Sequence, residues 1–382
     1  MSLVPRALTL ASRRGGPIVT ISVLVLEPYY GGSHRAVLDA LLPALDVTCD
    51  LITLPARKWK WRMRGAAITM ATEARRLHAA GHRWDLIYVS TFLNLAEFLG
   101  LAGDAVRGVP AAVYFHENQL LYPNRHTAEW DLQFPLTNVT SALAADACLF
   151  NTRWNLDGFL SEIPGFLHQF PDHIPSGVAE AIAGKSSVLA PPFDPATFDG
   201  VAPTRGSRPR IVWPHRWEHD KAPEAFFAAV TALAREGLDF EVAVAGQSFR
   251  ETEDAMAEAA SALGDRLVHF GEPEGRGAYA ALLASADVAV STATNEFFGL
   301  AMLEACYAGA TPVVPDRLAY PELYPAAFRY GTQDALVALL RSLVLERPAP
   351  GAARHLAEAF TVYRLAPRYQ AAFGRIAALR RA

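Results

Sequence analysis

Two Rossmann-like α/β domains, each a parallel sheet covered by helices and the two facing across a cleft, are the fold this sequence predicts. Short β-branched apolar runs alternate with Ala- and Leu-rich segments of helical period, the pattern of strands buried on both faces. The alternation runs through twice, broken by a Pro- and Gly-rich stretch near the middle. The length of 382 residues, with 51% hydrophobic and 19% charged side chains, is enough for two separate cores.

Residues 1–16 read as a disordered extension. Arg13-Arg14 is followed by Gly15-Gly16-Pro17 and no small-residue cleavage site, which argues against an export signal. The first strand is expected over 18–26, where the run is almost continuously apolar and β-branched. Similar runs at 86–90, 111–115 and 147–150 complete an N-terminal domain over 17–195. A linker is expected over 196–209. The second series has strands over 210–214, 240–245, 267–270, 287–291 and 311–314, with helices over 222–235 and 276–286, and forms a domain over 210–360. Residues 361–382 read as a C-terminal helix packing back towards the first domain. No apolar run is long enough to span a bilayer. Cys49, Cys148 and Cys306 lie far apart without C-x-x-C spacing, as expected for reduced thiols of a cytoplasmic protein. The net charge of -4 gives no global attraction to nucleic acid, so any such contact needs a local patch. Nothing in the sequence calls for an obligate protein partner or a membrane.

In open α/β sheets ligands sit beyond the carboxyl ends of the strands, and four polar segments fall there. The first strand leads into Gly31-Gly32-Ser33-His34, where two glycines admit an anion and Ser33 is placed to cap a helix starting at His34. The plainer reading is a tight turn. His116-Glu117-Asn118-Gln119, with Tyr122 beyond, follows the 111–115 strand. A structural histidine is the alternative there. His215 to Lys221 follows the first strand of the second domain, and Arg216 and Lys221 are cations suited to stabilise a departing diphosphate without a metal. A solvated charge cluster is the competing reading. The fourth segment is Thr294-Asn295-Glu296-Phe297-Phe298-Gly299-Leu300-Ala301-Met302-Leu303-Glu304, a loop opening a helix that Gly309 closes. Glu296 suits a sugar hydroxyl and Glu304 a ribose, with a diphosphate between them on the amides around Phe298, Gly299 and Leu300. An ordinary helix carrying an exposed Glu304 is the alternative.

Glu296 to Glu304 matches the E-x7-E motif of family 4 retaining glycosyltransferases, whose phosphate-binding pair Arg216 and Lys221 match. More narrowly, Tyr29-Tyr30-Gly31-Gly32-Ser33-His34, Lys58-Trp59-Lys60-Trp61-Arg62, the segment from Phe115 to Pro123 and His215-Arg216-Trp217-Glu218-His219-Asp220-Lys221 resemble the tRNA-queuosine alpha-mannosyltransferases. The resemblance covers nearly the whole chain from about Val19. It implies the GT-B architecture, GDP-mannose as donor with no further cofactor and no metal, and the cyclopentene-diol of queuosine in the anticodon of a tRNA for aspartate as acceptor. It also implies that His116, Arg216, Lys221 and Glu296 are catalytic. Gly31 and Gly32 would join the donor site, and Ser33, His34, Glu117, Asn118, Gln119 and Tyr122 the acceptor site. Glu117 departs from the broad family, where His-Asp is common at this point.

The residues themselves support an RNA contact. Arg57, Lys58, Lys60, Arg62, Arg64, Arg75, Arg76 and Arg83 stand against one acid, Glu73, with Trp59, Trp61 and Trp84 interleaved. Cations hold phosphates and aromatic faces stack on unpaired bases. The alternative is core tryptophans beside an exposed cationic helix face. Two other functions share these motifs: a mannosyltransferase acting on a membrane glycolipid or other small acceptor, and a non-catalytic RNA-binding protein on the same scaffold.

Overall fold

The computed structural model describes residues 6–10, 20–123, 131–202, 204–246 and 261–379. The chain forms two compact units, Met1–Pro192 with Val362–Ala382, and Phe193–Thr361.

The strands of the first unit are β1 (Arg6–Leu10), β2 (Ile21–Tyr30), β3 (Val47–Pro55), β4 (Leu86–Ser90), β5 (Ala111–Phe115), β6 (Ala147–Phe150) and β7 (Ser186–Val188). They lie in the order β1-β3-β2-β4-β5-β6-β7, parallel except for β1. Residues 6–10, expected to be disordered, pair antiparallel with β3, whose outer edge would otherwise present unpaired backbone groups. The rest of the expected extension lies outside the described residues. β2 continues past the predicted 26 to Tyr30, and its register with β3 shifts between Glu27 and Tyr30, where Pro28 has no N–H to donate. β3 went unread because Thr48, Asp50 and Thr53 interrupt its apolar run. Asp50 is buried and accepts hydrogen bonds from Trp84 Nε1 and His82.

The second unit contains β8 (Arg210–Trp213), β9 (Glu241–Ala245), β10 (Leu267–Gly271), β11 (Val288–Val290), β12 (Thr311–Pro315) and β13 (Arg329–Tyr330), all parallel, in the order β10-β9-β8-β11-β12-β13. The expected linker 196–209 belongs to this unit. Arg205 ties it down with a 3.0 Å ion pair to Asp287, a fully buried carboxylate that Arg347 also reaches at 3.0 Å. The C-terminal helix Val362–Ala377 belongs to the first unit. Gln370 accepts from the Asp46 backbone N–H, and Phe373 packs on Tyr88 of β4.

Both sheets reverse direction beside their first parallel strand. Chain order runs outward from β2 to β3 and then returns to β4; it runs from β8 to β9 and β10 and then returns to β11. Such a reversal leaves a crevice at the carboxyl ends of the flanking strands. The polar segments after β2, β5, β8 and β11 lie at those carboxyl ends.

Candidate active site

In the first unit the helix α1 (Gly32–Leu41) starts two residues before the predicted His34. Ser33 makes no capping bond, because the helix has already begun when the chain reaches it. Gly31 is needed for another reason: a Cβ there would sit 2.4 Å from that of Ala56. His34 points inward and is buried. Its Nδ1 lies 3.1 Å from Glu27 Oε2 and its Nε2 3.4 Å from Glu117 Oε2. Glu27 Oε1 accepts from Ser90 Oγ at 3.0 Å and from the Tyr29 N–H at 2.8 Å. The His116 ring lies 4.1 Å from that of His34 and 4.6 Å from Tyr114.

Burial alone would discharge His34, but Glu27 and Glu117 flank both its nitrogens and push its pKa up to about 10. His116 is driven the other way, first by burial and then by the His34 charge, so it is a neutral imidazole. Glu27, His34 and His116 also form the one group among the described residues with metal-ligand spacing, their ligand atoms lying within 4.8 Å of one another. With both His34 nitrogens turned to carboxylates, the arrangement is that of an ion-pair network.

Asn118 is corrected by the structure. It is fully buried, its Nδ2 bonds Asn155 and its Oδ1 accepts from the Leu120 and Leu121 N–H groups, so it shapes the loop instead of facing an acceptor. The Gln119 backbone is pinned by Asn138, and Tyr122 is exposed.

The cationic segment forms the start of α2 (Trp59–Ala79), with Lys58 in a left-handed conformation just before it. Lys58, Lys60 and Arg64 are exposed, and Trp61 has 61% of its surface in solvent. Trp61 lies over Gly65, beside a surface pocket lined by Pro55, Arg57, Arg62 and Thr69. Trp59 instead packs on Phe134 at 5.1 Å, within a small apolar cluster that includes Phe92 and Tyr29. Phe92 in turn lies 5.3 Å from His34, so the basic segment adjoins the ion-pair network. Trp84 is a core residue and does not join the patch. Arg75, Arg76 and Arg83 also turn away from it, bonding the Leu101 carbonyl, Glu73 and the His78 carbonyl. Arg64 pairs with Asp131, and Arg62 donates to the Pro55 carbonyl.

In the second unit Lys221 and Glu296 come together across 75 residues of sequence at 3.3 Å, with Asp220 3.1 Å from the same ammonium. Lys221 also donates to the Asn295 carbonyl at 2.8 Å, and Glu296 Oε1 accepts from the Phe298 N–H. Burial works against both charges. The Lys221 ammonium nevertheless holds the Glu296 carboxyl below the usual range, and Glu296 with Asp220 holds the Lys221 ammonium above its own. Arg216 is not part of this pair: its side chain is 56% exposed and lies 3.4 Å from Glu218.

Gly299 precedes the Leu300–Ala308 helix with φ +91, and a Cβ there would meet Tyr320 at 3.0 Å. Both constraints favour glycine. The first N–H groups of that helix point out of its N-terminus without intrahelical partners. Glu304 is buried, not exposed. Its Oε1 takes Arg276 at 2.8 Å and its Oε2 takes the Tyr279 hydroxyl at 3.2 Å.

The N-terminal family model for tRNA-queuosine alpha-mannosyltransferase matches residues 22–193, and that for glycosyl transferases group 1 matches 197–350. A tRNA-queuosine alpha-mannosyltransferase of Drosophila melanogaster is 37% identical over 328 residues, covering 82% of this chain and 84% of that protein. The chain belongs to the tRNA-queuosine alpha-mannosyltransferase family. Its GT-B fold is shared with Anabaena Alr3699/HepE, solved with UDP and glucose (TM-score 0.65, 16% identity, 93% of this chain and all of that one). Sucrose-phosphate synthase of Thermosynechococcus elongatus has the same fold (TM-score 0.67, 13% identity, 94% and 99%). This member of the family is therefore a glycosyltransferase. No described helix is long and apolar enough to cross a membrane.

Glu27, Ser90, Arg276 and Tyr279 fall outside the sequence-predicted site, and His215 and Asp220 lie in a predicted segment in which only Arg216 and Lys221 were given roles. A glutamate ending an apolar strand was the available signal for Glu27. His215 is buried, and burial followed by the Lys221 charge pushes its pKa down to about 3, so it is neutral. Its Nε2 has no hydrogen-bond partner among the described residues. Nothing in the local sequence marks Arg276 and Tyr279, which reach Glu304 only through the fold.

Proposed function

We propose that the protein transfers mannose from GDP-mannose to the cyclopentene-diol of queuosine in the anticodon of tRNA-Asp, with retention of configuration and without a metal. The observation that carries this is the Lys221–Glu296 pair at the carboxyl edge of the second sheet, beside the Gly299–Leu300 helix start, in a chain of this family. In this reading Glu304 takes the ribose and Glu296 the mannose hydroxyls. Lys221, Arg216 and the first amides of the Leu300–Ala308 helix take the diphosphate. The neutral His215, with its buried unpaired nitrogen, suits a hydrogen bond to the donor.

The acceptor hydroxyl attacks the anomeric carbon from the face the diphosphate leaves. The C–O bond to phosphate breaks, and the departing phosphate oxygen takes the acceptor proton. The new bond therefore forms on the same face as the old one. The cations stabilise the charge growing on the leaving group, which magnesium would otherwise do. The acceptor enters through the first unit, where exposed Trp61 and the cations Lys58 and Lys60 suit unpaired anticodon bases and phosphates.

The direct test is transfer of label from GDP-[14C]mannose to tRNA carrying queuosine, against the same tRNA without it. Incorporation into both, or into neither, counts against the assignment. Activity is expected to survive EDTA, and strict dependence on added magnesium would overturn the metal-free mechanism. Glu304→Ala is expected to weaken GDP binding, measured by calorimetry. It should also lower the melting temperature, because Arg276 and Tyr279 lose their shared buried acceptor. Unchanged GDP affinity would remove Glu304 from the donor site.

A further inference from the structure

Glu27 has no part in the mechanism above, yet it is 1% exposed and held by three hydrogen bonds from three segments. A carboxylate that is buried and fully engaged fixes whatever it is bonded to. Here that is His34, whose ring is also packed against Phe92, Tyr29 and His116. The far nitrogen of His34 faces Glu117, the member of the chain that reaches solvent, with 19% of its side chain exposed. A Glu–His–Glu chain whose inner two members are buried holds its outer carboxylate in one place.

We propose that Glu27 and His34 are positioning residues that present the Glu117 carboxylate to the two vicinal hydroxyls of the acceptor, making Glu117 the element that recognises the diol. The inference rests on the acceptor proposed above. A carboxylate is an acceptor only, and adjacent hydroxyls offer two donors at a matching spacing, so the two pair as a fork. A guanosine at the same anticodon position has no such diol on its base and gains nothing from Glu117. Glu117 is linked to the basic, aromatic segment through His34 and Phe92, the ring that joins the Trp59 cluster, and this fits the role, because a base stacked on Trp61 is anchored by contacts that any base makes. Specificity has to come from a polar group like this one.

The experiment uses the full chain and two forms of one tRNA, with queuosine or with guanosine at that position. The wild type is expected to bind the queuosine form more tightly and to mannosylate it. Glu27→Gln and Glu117→Gln should each shrink that preference by about 10-fold or more, the effect of losing a charge-assisted hydrogen bond. Affinity for the guanosine form and for GDP-mannose should stay unchanged.

The pH profile separates positioning from a merely structural role. His34 is faced by Glu27 on β2, by Glu117 and neutral His116 after β5, and by the Tyr29 and Phe92 rings. Its charged form is the one that holds Glu117, so activity is lost as pH rises through its pKa. Removing the Glu27 charge lowers that pKa, and the alkaline limb of kcat/KM should move to lower pH in Glu27→Gln. Glu117→Gln, at a partly exposed position, keeps the test open if Glu27→Gln is poorly stable. A preference for queuosine that survives in both variants overturns the proposal. A wild type that transfers no mannose to the queuosine form fails the acceptor reading itself, and this inference with it.

Discussion

Lys221→Ala is expected to lower kcat for mannosyl transfer by about 10²- to 10³-fold, the usual effect of removing one preorganised charge stabiliser. The same change should destabilise the fold, because Glu296 would be left as a nearly buried carboxylate with no cation beside it. Breaking a buried pair from one side costs about 3–5 kcal/mol. The two side chains here keep 13% and 17% of their surface, which places the cost near the low end. The two effects can be separated. Lys221→Met combined with Glu296→Gln removes the stranded Glu296 charge and leaves only Asp220, with 16% of its side chain exposed, short of its cation, so it should regain part of the lost melting temperature while remaining inactive. Steady-state kinetics and thermal unfolding of the single and double variants read both quantities. A double variant that recovers activity together with stability would show the pair to be structural. A single variant with wild-type kcat would remove Lys221 from the leaving-group site.

Replacing Lys58, Lys60 and Arg62 together by alanine is expected to weaken tRNA binding strongly and leave GDP-mannose binding nearly unchanged, since the donor groups lie in the other unit. Each lost phosphate contact withholds counterion release, so the salt slope should become shallower by about 0.7 per contact for a single strand. The three cations are not equal. Lys58 and Lys60 are exposed, whereas Arg62 is half-buried and bonded to the Pro55 carbonyl, so it should contribute least to the slope. The two tryptophans should part company. Trp61→Ala removes an exposed ring and should cost roughly 1–3 kcal/mol of binding, as for one stacked base, with no change in melting temperature. Trp59→Ala takes a ring off Phe134 and should lower the melting temperature. Affinity at several salt concentrations, beside thermal unfolding, distinguishes these outcomes. A triple variant that binds tRNA as tightly as the parent, with the same slope, would end the case for this surface.

Most central strands of the two sheets were legible in the sequence, because an apolar strand buried on both faces has a local signature that needs no distant contact to be read, whereas β1, β3, β7 and β13 were not. Residues 86–90, 111–115 and 147–150 are strands to the residue. The E-x7-E segment, the His215 to Lys221 segment and the β2 turn were legible for a related reason: a polar cluster after such a strand falls at a carboxyl edge. Which of those polar groups come into contact depends on the folded chain. Lys221 meets Glu296 across 75 residues, Arg276 and Tyr279 meet Glu304 across 28 and 25, and His34 joins Glu27 to Glu117 at the carboxyl ends of β2 and β5, on either side of β4. The tertiary structure also sorted the aromatic and cationic residues from Arg57 to Trp84, which are alike in composition. Helix phase half-buries Trp59 and leaves Trp61 in solvent, while Trp84, just before β4, packs into the core of the first unit. Burial and pairing depend on what the rest of the chain brings to each position, and a residue's immediate neighbours in sequence carry no record of that.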